Sequence, residues 1–126
     1  MFLQMLKGKL HGARVTEANL EYRGSISIDR DLMEAAGFLV GEKVLVADMA
    51  SGNRFETYVI EAPRGSGAIC LNGAAARQGT VGDRVIVMAW CLLDGREAST
   101  HRPKVVRVDE RNAVAEIGEM NGGDSR

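Results

Sequence analysis

The sequence predicts a mainly β, single-domain fold with short helices. Short apolar segments recur about every ten residues between glycine-bearing turns, and helical periodicity is confined to two short stretches. In addition, residues 40–46 and 81–87 match at every position, by identity or conservative exchange, at a constant offset of 41. Two related units favour a barrel with pseudo-two-fold symmetry over an open sheet, although a chance repeat of a turn and a strand remains an alternative.

The elements follow from local composition. Seven segments rich in apolar and β-branched residues, each bounded by turn residues, are predicted as strands: residues 5–15, 25–28, 43–48, 54–62, 68–71, 84–92 and 104–108. Asp29 is suited to cap a helix that ends at Gly37, and a second helical turn is expected over residues 74–77. Residues 116–126 are predicted as a flexible tail beyond a barrel domain of residues 1–115.

Composition excludes several classes of protein. The chain has 126 residues, enough for one domain with a buried core. Its 16 basic and 17 acidic residues give a net charge of −1, which argues against nucleic acid as a partner. The apolar runs are too short to span a membrane and no signal-peptide pattern is found, so we expect a cytoplasmic protein with no membrane partner. Cys70 and Cys91 lie in apolar segments without neighbouring histidines, and we interpret them as buried structural thiols.

The dipeptide Gly24-Ser25 is the candidate for chemistry. A serine hydroxyl can attack the preceding carbonyl and convert the peptide bond into an ester. Elimination from that ester cuts the chain, and hydrolysis of the resulting dehydroalanine leaves a pyruvoyl group, a ketone that no side chain provides. Glycine at position 24 leaves the carbonyl open to attack and tolerates unusual backbone angles. The dipeptide alone is not specific, since it recurs at Gly65-Ser66.

Six segments in order carry a resemblance that makes the dipeptide more specific. They are Met-Leu-Lys-Gly-Lys-Leu-His at 5–11, Tyr-Arg-Gly-Ser at 22–25 with Ile28-Asp29, Arg-Phe-Glu-Thr-Tyr at 54–58, Arg-Gly-Ser at 64–66, Asn-Gly-Ala-Ala-Ala at 72–76 and Val-Gly-Asp at 81–83. Together they resemble the aspartate 1-decarboxylase family over nearly the whole chain to about residue 108. Two segments depart from the pattern, Ile26-Ser27 and the run from Arg77 to Gly79.

The resemblance implies a fold, a reaction and an assembly. The fold would be a double-psi β-barrel, and the reaction would be decarboxylation of L-aspartate to β-alanine for pantothenate synthesis. The cofactor would be a pyruvoyl group derived from Ser25, which forms a Schiff base with the substrate, and no metal would be needed. The assembly would be a homotetramer with active sites between subunits, because a small barrel filled with side chains has little room for an internal pocket. Some relatives rely on a helper protein for maturation.

The resemblance also implies roles for individual residues. Tyr58 would protonate the carbanion, while Lys9 and Arg54 would hold the carboxylates of the substrate. Thr57 would contact the substrate and polarise the Gly24 carbonyl during processing, although it faces away from Tyr58 on a regular strand. Both reach one site only if the strand bulges or lies at a subunit boundary. Further expected site residues are Gly73, Ala74 and Ala75 at the substrate, with His11, Tyr22 and Asn72 lining the site.

Two alternatives of other classes remain. A non-catalytic barrel of the same fold could serve as a binding or assembly module, because fold does not decide function. A small swapped-hairpin β-barrel transcription regulator is a further possibility, which the near-neutral charge disfavours. The joint presence of Ser25, Thr57, Tyr58, Arg54 and Lys9 favours the enzyme. His101 lies outside the matching segments and is expected to be a surface residue.

Overall fold

The computed structural model describes residues 1–119, which form nine strands, two α-helices and one 3-10 helix. In chain order these are β1 (Phe2–Arg14), β2 (Glu17–Asn19), β3 (Ser25–Asp29), α1 (Arg30–Ala36), β4 (Lys43–Asp48), β5 (Arg54–Ala62), β6 (Ile69–Asn72), the 3-10 helix (Gly73–Arg77), β7 (Arg84–Asp94), α2 (Gly95–Thr100), β8 (Lys104–Val108) and β9 (Val114–Glu119).

The strands close into a barrel because β1 and β2 form one strand that is used twice. Only Val15 and Thr16 separate them, and the backbone N–H groups of both donate to neighbouring segments, to the carbonyls of Asp83 and Ile69. β1 pairs antiparallel with β7, and β2 pairs parallel with β6. The order around the barrel is therefore β1/β2, β6, β3, β5, β4, β7 and back to β1. β8 and β9 extend the sheet outward from β1.

A two-fold axis relates the two halves of this barrel. Val46 of β4 pairs with Val87 of β7, and Ile28 of β3 pairs with Ile69 of β6. In both pairs the partners are 41 positions apart, which is the offset of the sequence repeat. The pairing directions obey the same symmetry: β3–β5 and β6–β2 are parallel, whereas β4–β5 and β7–β1 are antiparallel. The predicted mainly β fold, the pseudo-two-fold symmetry and the double-psi β-barrel are confirmed.

The core lies inside the barrel and consists of apolar side chains from every strand of the ring. Burial alternates most clearly along the first half of β7, because successive side chains point to opposite faces. The fully buried large residues are Leu10, Val15, Ile26, Ile28, Leu32, Val44, Val46, Val59, Ile69, Leu71, Val85 and Val87. Leu32 belongs to α1, which packs one face against the barrel.

Asp29 starts α1 as predicted. Its Oδ1 accepts a hydrogen bond from the Asp31 N–H at 2.8 Å, and Gly37 ends the helix with a φ of 80°. The same buried carboxylate also accepts hydrogen bonds from the N–H groups of Gly65 and Gly67. One side chain therefore fixes both the start of α1 and the turn between β5 and β6.

The prediction of a flexible tail from residue 116 is wrong for its first part. Residues 116–119 belong to β9, which pairs antiparallel with β8. The side chains of β9 are mostly exposed, so the strand lacks the apolar alternation by which strands are found in sequences. The short elements β2 and α2 were not predicted for the same reason. The rest of the predicted tail, residues 120–126, lies outside the described residues.

Two further side chains differ from expectation. Cys70 and Cys91 are half-buried free thiols rather than buried ones. Cys70 occupies an outward-facing position between the buried Ile69 and Leu71, whereas Cys91 lies near the end of β7, where its neighbours Trp90 and Leu92 are exposed. The Cys70 Sγ lies 3.8 Å from the Thr16 hydroxyl, and burial raises the pKa of its thiol. His101 is partly buried and not a surface residue: its Nε2 lies 2.7 Å from the Leu6 carbonyl oxygen, which ties the end of α2 to β1.

A pair of carboxyl groups joins the end of β4 to the start of β7. The buried Asp48 accepts hydrogen bonds from the N–H groups of Ala50 and Ser51 at 2.8 and 3.1 Å through Oδ1. Its Oδ2 is buried and has no hydrogen-bond partner in the described part of the chain, while the nearby Asp83 carboxyl accepts from the Thr80 N–H at 3.0 Å. Two neighbouring carboxyl groups are accommodated most easily when one of them keeps its proton and donates it to the other.

Each of the two carboxyl groups shifts the pKa of the other. The hydrogen bond to Asp48 raises the pKa of Asp83. Burial acts to raise the pKa of Asp48, but the hydrogen bonds from Asp83 and from the Ser51 and Ala50 N–H groups outweigh it and lower that pKa. Because the pKa of Asp83 is higher in the folded than in the unfolded chain, its contribution to stability is full at acid pH. That contribution is lost as the pH rises through the folded pKa.

We expect Asp83→Asn to raise the melting temperature above the folded pKa of Asp83, by a few degrees. The asparagine can accept from the Thr80 N–H and still donate to Asp48 at every pH. Below the ordinary aspartate pKa of about 3.9 the variant and the parent should melt alike. The test is a melting curve at each of several pH values, with Glu110→Gln as a control that removes the same charge from an exposed turn. Parallel pH profiles for Asp83→Asn and the parent would contradict the shared proton.

Candidate active site

Ser25 is the first residue of β3, and its side chain is buried, with 1% exposure. It pairs with Asn72 across the antiparallel β3–β6 ladder. The Asn72 Nδ2 donates a hydrogen bond to the Ser25 Oγ at 3.0 Å, and the Ser25 hydroxyl donates a long one of 3.4 Å to the Arg23 carbonyl. The hydroxyl is thus held against the backbone segment that contains the Gly24 carbonyl.

Asn72 makes these contacts because its amide does not cap the helix that follows it. It occupies the N-cap position of the 3-10 helix in an extended conformation but forms no side-chain capping hydrogen bond. The Nδ2 instead donates to two hydroxyls of β3, those of Ser25 and Ser27. The predicted helix start is present, but strand β6 and not a loop leads into it, and the Asn72 side chain is directed toward β3.

Gly73 packs directly against the segment that precedes Ser25. Its φ is 63°, and an added Cβ would lie 2.6 Å from the Gly24 nitrogen and 2.7 Å from the Tyr22 carbonyl oxygen. A side chain at position 73 is therefore excluded by both conformation and space. Gly24 differs, because it is not among the glycines with positive φ and an added Cβ would meet nothing within 4 Å. Glycine at position 24 is therefore not required for a left-handed backbone conformation, and the space of its missing side chain is empty.

A cleft of about 350 Å³ opens beside Gly24. Its lining residues are Gly24, Phe55, Glu56, Thr57, Tyr58, Ala74, Ala75 and Gln78. The β3–β5 ladder begins at the pair Ile26–Val59, and its parallel register places Gly24 level with Thr57 and Ser25 level with Tyr58. Because β3 begins at Ser25, the first half of β5 has one open edge, and the cleft runs along that edge.

The open edge explains how Thr57 and Tyr58 both reach the cleft. The β4–β5 register is continuous from Arg54 to Tyr58, so the strand does not bulge there. The two side chains point to opposite faces, and each lines the cleft from its own side. Tyr58 is 41% exposed, so in one chain the phenol is open to water.

The cleft contains no cation among its lining residues. Its one charged lining residue is Glu56, whose carboxylate pairs with Lys43 at 3.2 Å. Arg54 lies on the same exposed face of β5 as Tyr58 but outside the lining. A dianionic ligand would therefore meet no positive charge in the cleft as one chain forms it.

Lys9 and His11 are not brought to Ser25 within one chain. Both lie on the part of β1 that pairs with β7 and β8, whereas β3 pairs with β5 and β6. Burial lowers the pKa of His11, and the charges of Lys9, Arg107 and Arg84 lower it further, so the ring is neutral at pH 7. The His11 Nδ1 is buried and has no hydrogen-bond partner within residues 1–119.

Some of the other expected site residues lie beside the cleft, and others do not. Asn72, Gly73, Ala74 and Ala75 adjoin Gly24 and Ser25 as predicted. The Tyr22 carbonyl touches Gly73, but its exposed side chain does not line the cleft. Sequence reasoning missed Phe55, Glu56 and Gln78 as lining residues. Alternation along β5 could not identify them, since an open strand edge exposes both faces to the cleft.

The second Arg-Gly-Ser segment is the symmetry counterpart of the first. Residues 23–25 and 64–66 are 41 positions apart, the offset that the two-fold axis relates. The second copy is an exposed turn: the Ser66 Oγ accepts from the Ala68 N–H, and Arg64 pairs with Asp31 and Glu34 of α1. Hydrogen bonds from Arg64 lower the pKa of Glu34 to about 2. The two segments have the same sequence, but only Ser25 is buried beside a cleft.

The described residues contain no group of acidic, histidine or cysteine side chains that could hold a metal ion. Within residues 1–119, no helix has both the length and the apolar character needed to cross a membrane.

Comparison with known proteins gives consistent matches over most of the chain. A family model described as aspartate decarboxylase matches residues 1–115. A protein named aspartate 1-decarboxylase from Caldicellulosiruptor saccharolyticus is 59% identical, covering 93% of this chain and 91% of the relative. One of the same name from Pelotomaculum thermopropionicum is 58% identical, with coverage of 97% and 94%. The crystal structure of the rationally designed mkDPBB_sym1 protein aligns with a TM-score of 0.48 and 26% identity, covering 69% of this chain and 96% of that one.

We expect Gly73→Ala to destabilise the protein more than Gly52→Ala. Both glycines have positive φ, 63° and 78°, so each alanine incurs a conformational cost of about 1 to 2 kcal/mol. Only at position 73 does the added methyl also meet backbone atoms, whereas nothing lies within 4 Å at position 52. Urea unfolding of the two variants measures the difference. Equal free energies of unfolding would show that Gly73 does not support the segment before Ser25.

Proposed function

Because the chain belongs to the aspartate decarboxylase family, we propose that it removes the α-carboxylate of L-aspartate to give β-alanine and CO2. β-Alanine would supply pantothenate and coenzyme A synthesis, and the enzyme would act in the cytoplasm. The observation that carries the proposal is the placement of Ser25. Its buried hydroxyl accepts a hydrogen bond from Asn72. The preceding residue, Gly24, lines a cleft together with Thr57 and Tyr58.

We propose that the chain is made as a precursor and processes itself at Gly24-Ser25. The Ser25 hydroxyl attacks the Gly24 carbonyl, and the acyl group moves from nitrogen to oxygen to form an ester. Loss of the Ser25 α proton then breaks the Cβ–Oγ bond, and Gly24 leaves as a carboxylate. The dehydroalanine left at position 25 takes up water and releases ammonia, which gives the pyruvoyl group. The products are chains of residues 1–24 and 25–126.

The residues beside Gly24 suit this reaction. Thr57 is level with Gly24 in the β3–β5 register and lines the same cleft, so its hydroxyl can donate to the Gly24 carbonyl oxygen as negative charge develops there. Asn72 holds the attacking oxygen. Gly24 lines the cleft, and the place of a side chain at this position is empty, so no side chain of its own screens the bond to Ser25. These features fit the formation of a pyruvoyl group from Ser25.

The ketone, once formed, supplies an electron sink for an amine substrate that loses its α-carboxylate. The protein must then hold the substrate and return a proton to its α carbon. Tyr58 is level with position 25 and is proposed as the proton donor. Ala74 and Ala75 line the cleft without bulky side chains. Together with the adjoining Gly73 they are proposed as the wall that contacts aspartate. Arg54 and Lys9 are proposed to bind its carboxylates.

We propose that the active site is completed by a second subunit of a homotetramer. The cleft of one chain is open, exposes Tyr58 and has Glu56 as its charged lining residue. Lys9, one of the two cations proposed to bind aspartate, lies on β1 beside His11, with Arg84 and Arg107 nearby, and is not among the lining residues of the cleft. Large apolar residues are exposed near β1 and β7, including Phe2, Trp90 and Leu92, which a partner would cover. A neighbouring β1 over the cleft would provide the missing charge and exclude water.

We expect Ser25→Ala to abolish both cleavage and β-alanine formation, because it removes the attacking oxygen and the source of the ketone. Tyr58→Phe should still be cut but lose turnover. Ser66→Ala, in the symmetry-related segment, should be cut and active like the parent. Intact mass under denaturing conditions measures cleavage, since residues 25–126 should be lighter by one ammonia than the same fragment with an N-terminal serine.

An uncut Ser25→Ala protein that still forms β-alanine would refute the mechanism. A parent protein that remains whole after prolonged warming would be treated with an extract that contains a maturation helper. If the protein is cleaved only after this treatment, maturation depends on a helper. If it is not cleaved even then, the proposed function is contradicted.

We expect co-expressed Lys9→Ala and Ser25→Ala chains to regain activity that neither has alone. If Lys9 and Ser25 of one site come from different chains, random mixing leaves both residues intact in about one quarter of the sites. If both come from the same chain, no site is intact. The measurement is β-alanine formation by mixed oligomers isolated through two different tags. Inactive mixed oligomers would contradict a site shared between subunits.

A further inference from the structure

The Asn72 amide is bound by two hydroxyls of the same strand. Its Nδ2 donates to Ser25 Oγ at 3.0 Å and to Ser27 Oγ at 2.8 Å, so the shorter of the two bonds goes to Ser27. The two serines share a face of β3 because they are two residues apart. Asn72 lies opposite Ser25 in the ladder and diagonal to Ser27, within reach of a side-chain amide. Both amide N–H groups of this buried side chain are thereby used.

The two hydroxyls differ in what happens to them during processing. The Ser25 oxygen becomes part of the ester and then leaves with the Gly24 carboxylate, so Asn72 loses that partner. The Ser27 oxygen takes no part in any bond that forms or breaks. The hydrogen bond from Asn72 to Ser27 can therefore persist before, during and after the cut.

We propose that Ser27 is a positioning residue that holds the Asn72 amide in place for precursor cleavage and again for turnover in the cut enzyme. This inference depends on the proposed function. In the precursor, a fixed amide directs one N–H to the Ser25 oxygen that attacks Gly24. In the cut enzyme, the same N–H is released toward position 25, where it can donate to an oxygen of the substrate or of the ketone.

The symmetry of the barrel shows that a hydroxyl is not required for the fold at this place. The counterpart of Ser27 at an offset of 41 is Ala68, which occupies the equivalent position before β6. Ser27 itself is half-buried and pairs with Cys70 across the ladder. An alanine at position 27 is therefore compatible with the strand, and its main effect should fall on Asn72.

The first test uses the uncut Ser25→Ala protein, in which Ser27 is the remaining hydroxyl partner of Asn72. The two side-chain N–H signals of Asn72 in nitrogen-resolved NMR should be well resolved and slow to exchange with water. Adding Ser27→Ala should speed their exchange roughly fivefold to tenfold, the factor expected for one hydrogen bond. Unchanged exchange would overturn the proposal, and this readout requires neither cleavage nor activity.

The second test follows cleavage and turnover in chains that keep Ser25. Ser27→Ala should slow cleavage, measured by intact mass over time, and lower kcat of the cut enzyme by roughly fivefold to tenfold each, with KM little changed. Ser27→Thr keeps the hydroxyl and should restore both rates. Ser99→Ala, which removes an exposed hydroxyl from α2, should match the parent.

The outcomes separate this inference from the proposed function. If the parent is cut and active but Ser27→Ala matches it in both rates, the role of Ser27 is overturned and the decarboxylase stands. If the parent is neither cut nor active, the proposed function fails, while the exchange experiment still decides whether Ser27 holds Asn72. Should Ser27→Ala fail to fold, Ser27→Cys replaces it, because a thiol keeps the shape but accepts hydrogen bonds weakly. A cysteine variant with parental rates would likewise overturn the proposal.

Discussion

The barrel depends on the double use of the chain from Phe2 to Asn19. Its first part pairs with β7 and its last part with β6, and these two ladders join the ends of the sheet into a ring. Without this strand the remaining five would form an open sheet with unpaired edges on β6 and β7. The core side chains of every other strand are buried only because the ring is closed. The closing strand pairs with β6, and β6 pairs in turn with β3. The position of Ser25 at the start of β3 therefore depends on the closing strand.

Because a two-fold axis relates the two halves of the barrel, the surroundings of the two Arg-Gly-Ser segments can be compared position by position. Both halves carry Arg-Gly-Ser, yet the second copy forms a turn in which Arg64 and Gly65 bond to the start of α1. The first copy leads into β3 and lies beside the amide of Asn72. In the other half of the barrel, the position equivalent to Asn72 is occupied by Asp31, 41 positions earlier. Because the backbone symmetry is shared, the distinction lies in the side chains around each serine. Under the proposed function, the reactivity of Ser25 would therefore depend on its partners and on the adjacent cleft, not on the dipeptide.

Much of this fold could be predicted from the sequence, and the exceptions have physical reasons. The strands of the ring have apolar alternation, and Asp29 and Gly37 mark both ends of α1 by capping chemistry that is local. Strand β9 was missed because its exposed side chains leave no pattern. Among the site residues, Thr57, Tyr58, Asn72 and the glycines were placed correctly beside Gly24. Glu56 and Gln78 were not predicted, because their contact with the cleft arises from where β3 begins, which is a tertiary property.

The closing strand ends a few residues before Gly24, and this has a consequence for the order of folding and processing. A cut after Gly24 would turn the barrel into a complex of two polypeptides held by the ladders of β1 and β2 and by buried residues such as Leu10 and Val15. Unfolding of the cut protein would then release a separate peptide, and refolding would become a bimolecular reaction that depends on concentration. The intact chain folds without that entropic cost of association. Folding is thus favoured when the ring closes before the backbone is cut. After cleavage, dilution would favour dissociation of the peptide of residues 1–24 from the rest of the barrel.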